Sequence, residues 1–391
     1  MLDRTGGFFN RVKAALVRTF GIVAAAVTWP FRARSAGHSR AGIVLRFFLS
    51  GLVVLLVLLY GNFIWQTQVW TNFNPNFVDE YRLNERKVPA GQELPSAPVA
   101  QTSAQAGAET AAPAATASAP KSCQRSAIVD VAADLTDFNV NQNSWISSML
   151  LYRLGFFGLD WDSTPFLDNK ASFQRGVNQA VRRTSIELVD TLGRVRGTSG
   201  INNDLQKARG NLQFDEFSWY FGVNPFGPKT PTPSYYRSAI DSLRRFNTDL
   251  ASCNSVFDGR ADNFVQFIDR IANDLGSTSD MLAERSENHN FGWFDMRADD
   301  RFWFAYGQLY AYYAIISAAN ADFSQVVSER NLGAIMNGTK RQFQSALRIQ
   351  PMIISNGAED GSIMPSHLAT MGFYILRVRS NLVEMRSILD R

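Results

Sequence analysis

The chain is poor in the residues that usually carry chemistry. Two cysteines in 391 residues exclude a disulfide-rich mini-domain and a four-Cys zinc site. Three histidines, one of them in the basic N-terminal tail, leave little for metal or nucleophile chemistry. Gly-x-Ser-x-Gly, Walker, Gly-x-Gly-x-x-Gly, HExxH and Cys-x-x-Cys patterns are missing, which removes the best-marked enzyme classes. Ser118-Ala-Pro-Lys121 matches a Ser-x-x-Lys pattern, but it lies in a Pro-rich stretch and not at a helix start, so it reads as coincidence. Alternating strand patterns are nearly absent too, and the chain reads as all-α.

Charge is scarce and unevenly placed. The formal net charge is only +4, yet residues 1–46 hold eight Lys/Arg against Asp3 alone, leaving the remainder net negative at −3. Cations gathered beside an apolar run mark a membrane-proximal tail, so no nucleic-acid partner is expected.

What the sequence does contain is one long apolar run. Phe47–Ile64 reads FFLSGLVVLLVLLYGNFI without a charge, and Ile43–Leu45 extends it. About 20 such residues cross a hydrocarbon core of roughly 30 Å, which predicts a transmembrane helix over 43–65. Arg40 and Arg46 flank its start, and Tyr60, Trp65 and Trp70 stand near its far end as expected membrane-interface anchors. Basic residues on the N-terminal side predict a cytoplasmic tail, 1–42, with the rest of the chain outside. A cleaved signal peptide needs a short basic region and a small-x-small exit; here the basic region is 46 residues long and the run ends in Trp65-Gln-Thr-Gln68. Ala24-Ala-Ala26 imitates a cleavage site, but the stronger apolar run after it makes an uncleaved anchor the expectation. Within the tail, Phe9, Val12, Leu16, Phe20, Val23 and Val27 keep one helical face apolar across Phe8–Phe31. That stripe predicts a helix in the inner-leaflet interface and makes membrane lipid the first expected partner.

Residues 66–85 form a juxtamembrane segment. Residues 86–120 carry no aromatic residue and five prolines, a composition that cannot bury enough apolar area to order itself. It predicts a disordered tether over 86–121, with a multi-helix body over 122–391. Helical spacing recurs in that body at 168–195, at 233–252 with Pro233 in its first turn, and at 259–275 with Gly276 as a plausible C-cap. Leu368, Met371, Ile375, Val378, Leu382, Met385 and Leu389 step by 3 and 4, a seam expected to pack within the same bundle, with Ser366 capping its start. Phe302–Ala319 is also eighteen residues without a charge. Its Gln308, its four tyrosines and its acidic flanks favour a central core helix over a second span.

Candidate sites are few. Cys123 and Cys253 form either a disulfide closing a loop of about 130 residues or two separate buried thiols. His289, with Glu284, Glu287, Asp295, Asp299 and Asp300 around it, suggests a divalent-ion site or, with no second histidine nearby, a solvated acidic loop. Asp160/Asp162 and Asp215/Glu216 are the carboxylate pairs available for glycoside cleavage, a weak signal in any chain of this size. Aromatic clusters are the more unusual feature: Trp145, Phe156, Phe157 and Trp161; then Phe217, Trp219, Tyr220 and Phe221; then Trp293 and Phe294. Exposed, the last two groups would be an interaction patch; buried, they clamp loops onto the bundle. No cofactor, metal or catalytic residue is assigned.

At these residues the chain resembles a family. Asp215-Glu-Phe-Ser-Trp-Tyr-Phe221, Ser234-Tyr-Tyr236, Asp274-Leu-Gly-Ser277, Ala298-Asp-Asp300 and Gly372-Phe-Tyr-Ile-Leu-Arg377 are similar to the bacterial domain-of-unknown-function family numbered 2333. The likeness covers roughly 43–85 and 130–391. It implies a Gram-negative inner membrane, one N-terminal span and a helical periplasmic body, and it supplies no catalytic residue. The expected function is a non-enzymatic scaffold or accessory component of the cell envelope or a membrane complex, docking on another protein or on a second copy. The alternative is a periplasmic enzyme or binding protein acting on peptidoglycan or lipid through a groove between helices.

Overall fold

The computed structural model describes residues 40–95, 121–155, 160–164, 167–194, 200–223, 226–289, 291–293, 295–358 and 364–391, with Gly21, Ala24, Ala25 and Thr28. Apart from those four helical residues, the amphipathic stripe over Phe8–Phe31 lies outside the described residues. So do residues 96–120, Phe156, Phe157 and Phe294. The chain forms two units, Met1–Val69 and Trp70–Arg391.

The first unit contributes α1, Arg40–Gln68, longer at both ends than the expected 43–65. Its segment Val44–Gln68 is the one helix among the described residues long and apolar enough to cross a membrane. Its Phe48, Leu58 and Trp65 are exposed, as a lipid-facing surface requires. The helix is consistent with membrane anchoring.

The second unit is all-α apart from one small hairpin. In chain order it holds α2 (Ala127–Asp137), α3 (Leu150–Leu154), α4 (Asn169–Glu187) and α5 (Asn203–Leu212). Strands β1 (Phe221–Val223) and β2 (Phe226–Pro228) follow, then α6 (Thr232–Ala251), α7 (Ala261–Asn288) and α8 (Ala298–Asp322). The last elements are α9 (Ser324–Glu329), α10 (Gly333–Leu347) and α11 (His367–Leu389). The expected helices 168–195, 233–252 and the final seam are present. Helices α2 and α4 each end in a π turn, Phe138–Gln142 and Leu188–Leu192.

Helix α8 is the centre, packed by α2, α4, α7, α10 and α11. It is the apolar run of Phe302–Ala319, and it is core, not a span. The hydroxyls of its four tyrosines and the amide of Gln308 are answered from neighbouring elements. Tyr306 Oη donates to the Leu347 carbonyl at 2.8 Å, Tyr310 Oη to the Asn74 carbonyl at 3.1 Å, and Tyr312 Oη to Asp274 Oδ2 at 2.7 Å. Buried hydroxyls satisfied this way avoid a desolvation cost of a few kcal/mol each. Helix α4 lies directly against α8, because glycine lets the backbones meet. A Cβ at Gly176 would lie 2.0 Å from the Phe304 carbonyl oxygen, and one at Gly307 would lie 2.1 Å from that of Phe173.

The seam of α11 is buried against α7 along its whole length, within the body as expected. Ser366 Oγ accepts from the Ala369 N–H at 3.1 Å and caps its start. Gly276, expected as a C-cap, is instead mid-helix: α7 continues to Asn288. There Gly276 sits against the Arg379 side chain of α11, so its small size serves helix packing, not termination.

The domain boundary differs from expectation. The body begins at Trp70, not at 122, because Trp70, Phe73, Phe77 and Tyr81 return every three or four residues and pack on the core, with Val78, Leu83 and Ala90 buried. Trp70, expected as a membrane-interface anchor, is therefore a body residue. Its ring meets Phe173 edge-on at 4.9 Å and Lys170 Nζ lies 5.8 Å from it. The Pro-rich segment does not join anchor to body either. Glu93 pairs antiparallel with Cys123, with the Leu94 N–H donating to the Ser122 carbonyl and the Gln124 N–H to the Gln92 carbonyl, both at 2.8 Å. Both ends of residues 96–120 are thus fixed to the same unit. In chain terms only Val69 stands between α1 and the body.

Cys123 and Cys253 are joined as a disulfide with Cα atoms 5.3 Å apart, fastening the start of α2 to the end of α6. Asp322 completes this corner. Its carboxylate accepts from Ala127 N–H (2.8 Å), Ile128 N–H (2.9 Å) and Ser126 Oγ (2.7 Å), satisfying the orphan donors at the start of α2. Burial nevertheless pushes the Asp322 carboxyl up to about 6, against the pull of those hydrogen bonds.

Candidate functional site

Two surfaces and one cavity stand out. The first surface is the hairpin, where β1 and β2 pair antiparallel with Phe221 opposite Pro228 and Val223 opposite Phe226. It was not legible as strand, since each arm is three residues long. Thr232 at the start of α6 anchors its base: Thr232 Oγ1 accepts from the Ser218 N–H at 3.1 Å and donates to the Asp215 carbonyl at 2.7 Å. Phe226 is 83% exposed and Tyr220 63%, with Phe221 also outward and its ring edge-on to Phe226 at 4.9 Å. Trp219 is half-buried, and Phe217 turns inward. The expected patch therefore splits, with Tyr220 and Phe221 on the surface and Phe217 in a cavity wall.

The second surface joins two loops. Gly292 and Asn356 exchange N–H···O hydrogen bonds of 2.8 and 3.0 Å. Asn356 Nδ2 further donates to the carbonyls of Arg285 and His289 and to Asp295 Oδ2. This clip presents Phe291, Trp293, Met296, Met352 and Ile353 outward. The acids near His289 do not gather around it. Asp295 is claimed by Arg285; burial works against its charge, but hydrogen bonds from Arg285, Asn356 and the Arg297 N–H outweigh this and lower its pKa. Asp299 and Asp300 go instead to the first turn of α8.

The cavity, of about 470 Å³, opens between α4, the start of α8 and the segment before the hairpin. Ser172, Arg175, Gln179 and Arg182 of α4 form one side, and Arg297, Asp300, Arg301 and Phe304 form another. Asp162, Glu216, Phe217 and Met281 complete the lining. Arg182 Nη1 bonds Glu216 Oε1 at 2.9 Å, and Asn178 Nδ2 donates to the same oxygen at 2.9 Å. Arg175 Nη2 reaches Ser172 Oγ at 3.0 Å and Asp162 Oδ1 at 3.6 Å, with its guanidinium 6.0 Å from the Phe217 ring. Arg175 Nε is buried and has no acceptor among the described residues. Arg297 and Arg301 are exposed, one helical turn apart, and neither has a carboxylate partner among the described residues; Arg301 Nη1 touches Met281 Sδ at 3.2 Å.

Behind the wall lies an acidic layer where two helix starts converge. Ser172 Oγ donates to Asp300 Oδ1 at 2.7 Å. Burial, with the charges of Asp162 and Asp299 close by, raises the Asp300 pKa. Asp168, immediately before α4, is fully buried and neither of its carboxyl oxygens has a hydrogen-bond partner among the described residues. Burial and the neighbouring Asp300 and Asp299 raise its pKa strongly. Carboxyls crowded out of water this way hold protons instead of charge.

Asp162 and Glu216, one from each carboxylate pair singled out in the sequence, both line this cavity, whereas Asp160 and Asp215 do not. The arginines were missed, although Arg175 and Arg182 stand seven residues apart and so share a helix face. Hydrophobic spacing marks only the apolar face of that helix. Two segments quoted for the family resemblance, Asp215–Phe221 and Ala298–Asp300, meet here through Glu216, Phe217 and Asp300.

An all-α body with a polar, arginine-lined cavity is the class of protein this fold defines. The family model described as an uncharacterized protein conserved in bacteria, DUF2333, matches residues 138–293 and 283–391, and the chain belongs to that family. No curated protein and no solved structure matches the chain.

Proposed function

We propose that this protein is a single-pass inner-membrane component of the bacterial cell envelope, with a cytoplasmic N-terminus and a periplasmic helical body that docks on another envelope protein. The hairpin carries this reading. Phe226 and Tyr220 present aromatic surface to water, and aromatic anchors of this kind dominate protein interfaces. The cationic tail before α1 supports the orientation, and the Cys123–Cys253 bond suits an oxidising compartment. Full-length protein purified in mild detergent, with Tyr220→Ser and Phe226→Ser together, is expected to lose its main partner; an unchanged partner list would exclude the hairpin. A reporter at Arg391 that proved cytosolic would overturn the topology. A second reading, a periplasmic binding protein working through a groove, is favoured by the cavity.

A further inference from the structure

We propose that the cavity between α4 and the start of α8 binds an acidic sugar, a saccharide ring bearing a carboxylate. The site is independent of docking by the hairpin, and three features of its lining converge on that chemistry.

The first is unmatched positive charge. Among the described residues, Arg297 and Arg301 stand one turn apart on the rim with no acidic partner, and inside the cavity Arg175 Nε is a buried donor without an acceptor. Guanidinium groups so placed suit a planar carboxylate, which takes two parallel N–H···O bonds.

The second is a pair of held acceptors. Glu216 is fixed through Oε1 by Arg182 and Asn178, and Asp162 is fixed through Oδ1 by Tyr152 and Arg175. The second oxygen of each carboxylate accepts no hydrogen bond among the described residues. A carboxylate with spare lone pairs next to an arginine offers what ring hydroxyls need, an acceptor and a donor side by side. A bare inorganic anion would be repelled by these acids, and a neutral sugar would leave the arginines unmatched.

The third is the wall. Phe217, Phe304 and Met281 give an apolar face on which the C–H side of a sugar ring can rest, and a volume of about 470 Å³ lies within the usual range for small-ligand sites, roughly 300–1,000 Å³.

The test uses the full-length protein in detergent micelles, titrated calorimetrically with glucuronate, with N-acetylmuramic acid, with glucose and with inorganic phosphate. Binding of at least one of the two acidic sugars is expected, with glucose and phosphate each weaker by about tenfold or more. Arg297→Gln with Arg301→Gln is expected to weaken that binding by about tenfold or more, and both side chains are exposed, so circular dichroism should be unchanged. Glu216→Gln separates the sugar from a bare anion, because it is expected to weaken the acidic sugar, which loses a hydroxyl acceptor, while strengthening phosphate, which loses a repelling charge. The proposal is overturned if neither acidic sugar binds at about 10 mM, a level that detects even millimolar affinity. It is equally overturned if glucose or phosphate binds as tightly, or if the double arginine variant binds unchanged. Loss of hairpin docking in Tyr220→Ser, Phe226→Ser with sugar binding intact would leave this site standing.

Discussion

Gln308 Nε2 donates to Asp274 Oδ2 at 2.6 Å in the middle of the body, and the network around this bond ties three helices together. Asp274 also accepts from Gln179 Nε2 (2.9 Å) and Arg183 Nε (3.3 Å) of α4 and from Tyr312 Oη, while Gln308 Oε1 accepts from Thr278 Oγ1 at 2.6 Å. The residue that argued against a second membrane span is thus the centre of a satisfied buried network. Such networks fix a single packing but are costly when broken.

Gln308→Leu should therefore destabilise the body by about 2–4 kcal/mol, because Asp274 and Thr278 lose a partner without gaining water. Urea unfolding followed by circular dichroism measures it. A change below about 0.5 kcal/mol, the size of an ordinary surface substitution, would show the network to be dispensable.

Gly307→Ala should cost at least about 2 kcal/mol, since its Cβ would strike the Phe173 backbone oxygen and neither helix can yield by rotating a side chain. Gly210→Ala, with open space around its Cβ, is the control and should be neutral or mildly stabilising, because alanine favours the helix. Equal thermal midpoints for the two variants would contradict the close crossing.

Replacing both Cys123 and Cys253 with serine opens a loop of 130 residues and should lower stability by up to about 5 kcal/mol on the chain-entropy account. The same loss should follow reduction of the wild type. Proteolysis under native conditions is the readout, with cleavage near the Cys123 end expected to accelerate first.

The pH dependence should run opposite to common acid denaturation. Asp168, Asp300 and Asp322 are all raised from the ordinary 3.8, chiefly by burial, and Asp322 to about 6. The folded protein keeps protons on these groups that the unfolded chain has already released. Their stabilisation is complete below about 4 and is lost as pH rises through the folded values. Asp295, lowered by Arg285 and Asn356 despite its burial, acts in the other direction, but only at the acid end. Unfolding free energy should thus decline between pH 5 and about 7, and Asp168→Asn should flatten that decline and stabilise the protein at pH 8 by of order 1 kcal/mol. A stability that climbed steadily to pH 8 in the wild type would refute the assignment.

Periodicity and charge made the helical class, the apolar anchor, the core identity of Phe302–Ala319 and the buried seam of α11 readable, because each is a repeat along a single helix face that burial or lipid must cover. Short or non-local features were not readable. A hairpin of three-residue arms has no period to detect. The end of α7 was misplaced because Gly276 is as much a packing residue as a helix terminator, and only the position of Arg379 decides which. The body boundary falls earlier than expected because Trp70 reads equally well as a membrane-interface anchor until Phe173 is seen against it, and because the Pro-rich composition of 86–121 reads as a tether between anchor and body.

The sequence by itself determined which segments become helices and which one is greasy enough for a bilayer, since both follow from local composition and spacing. Only the tertiary structure decided that Arg175, Arg182, Arg297 and Arg301 face one cavity with Asp162 and Glu216. Those residues come from α4, α8 and two separate loops, and their meeting depends on how closely α4 and α8 pack, which is set by two glycines and written in no single stretch of chain.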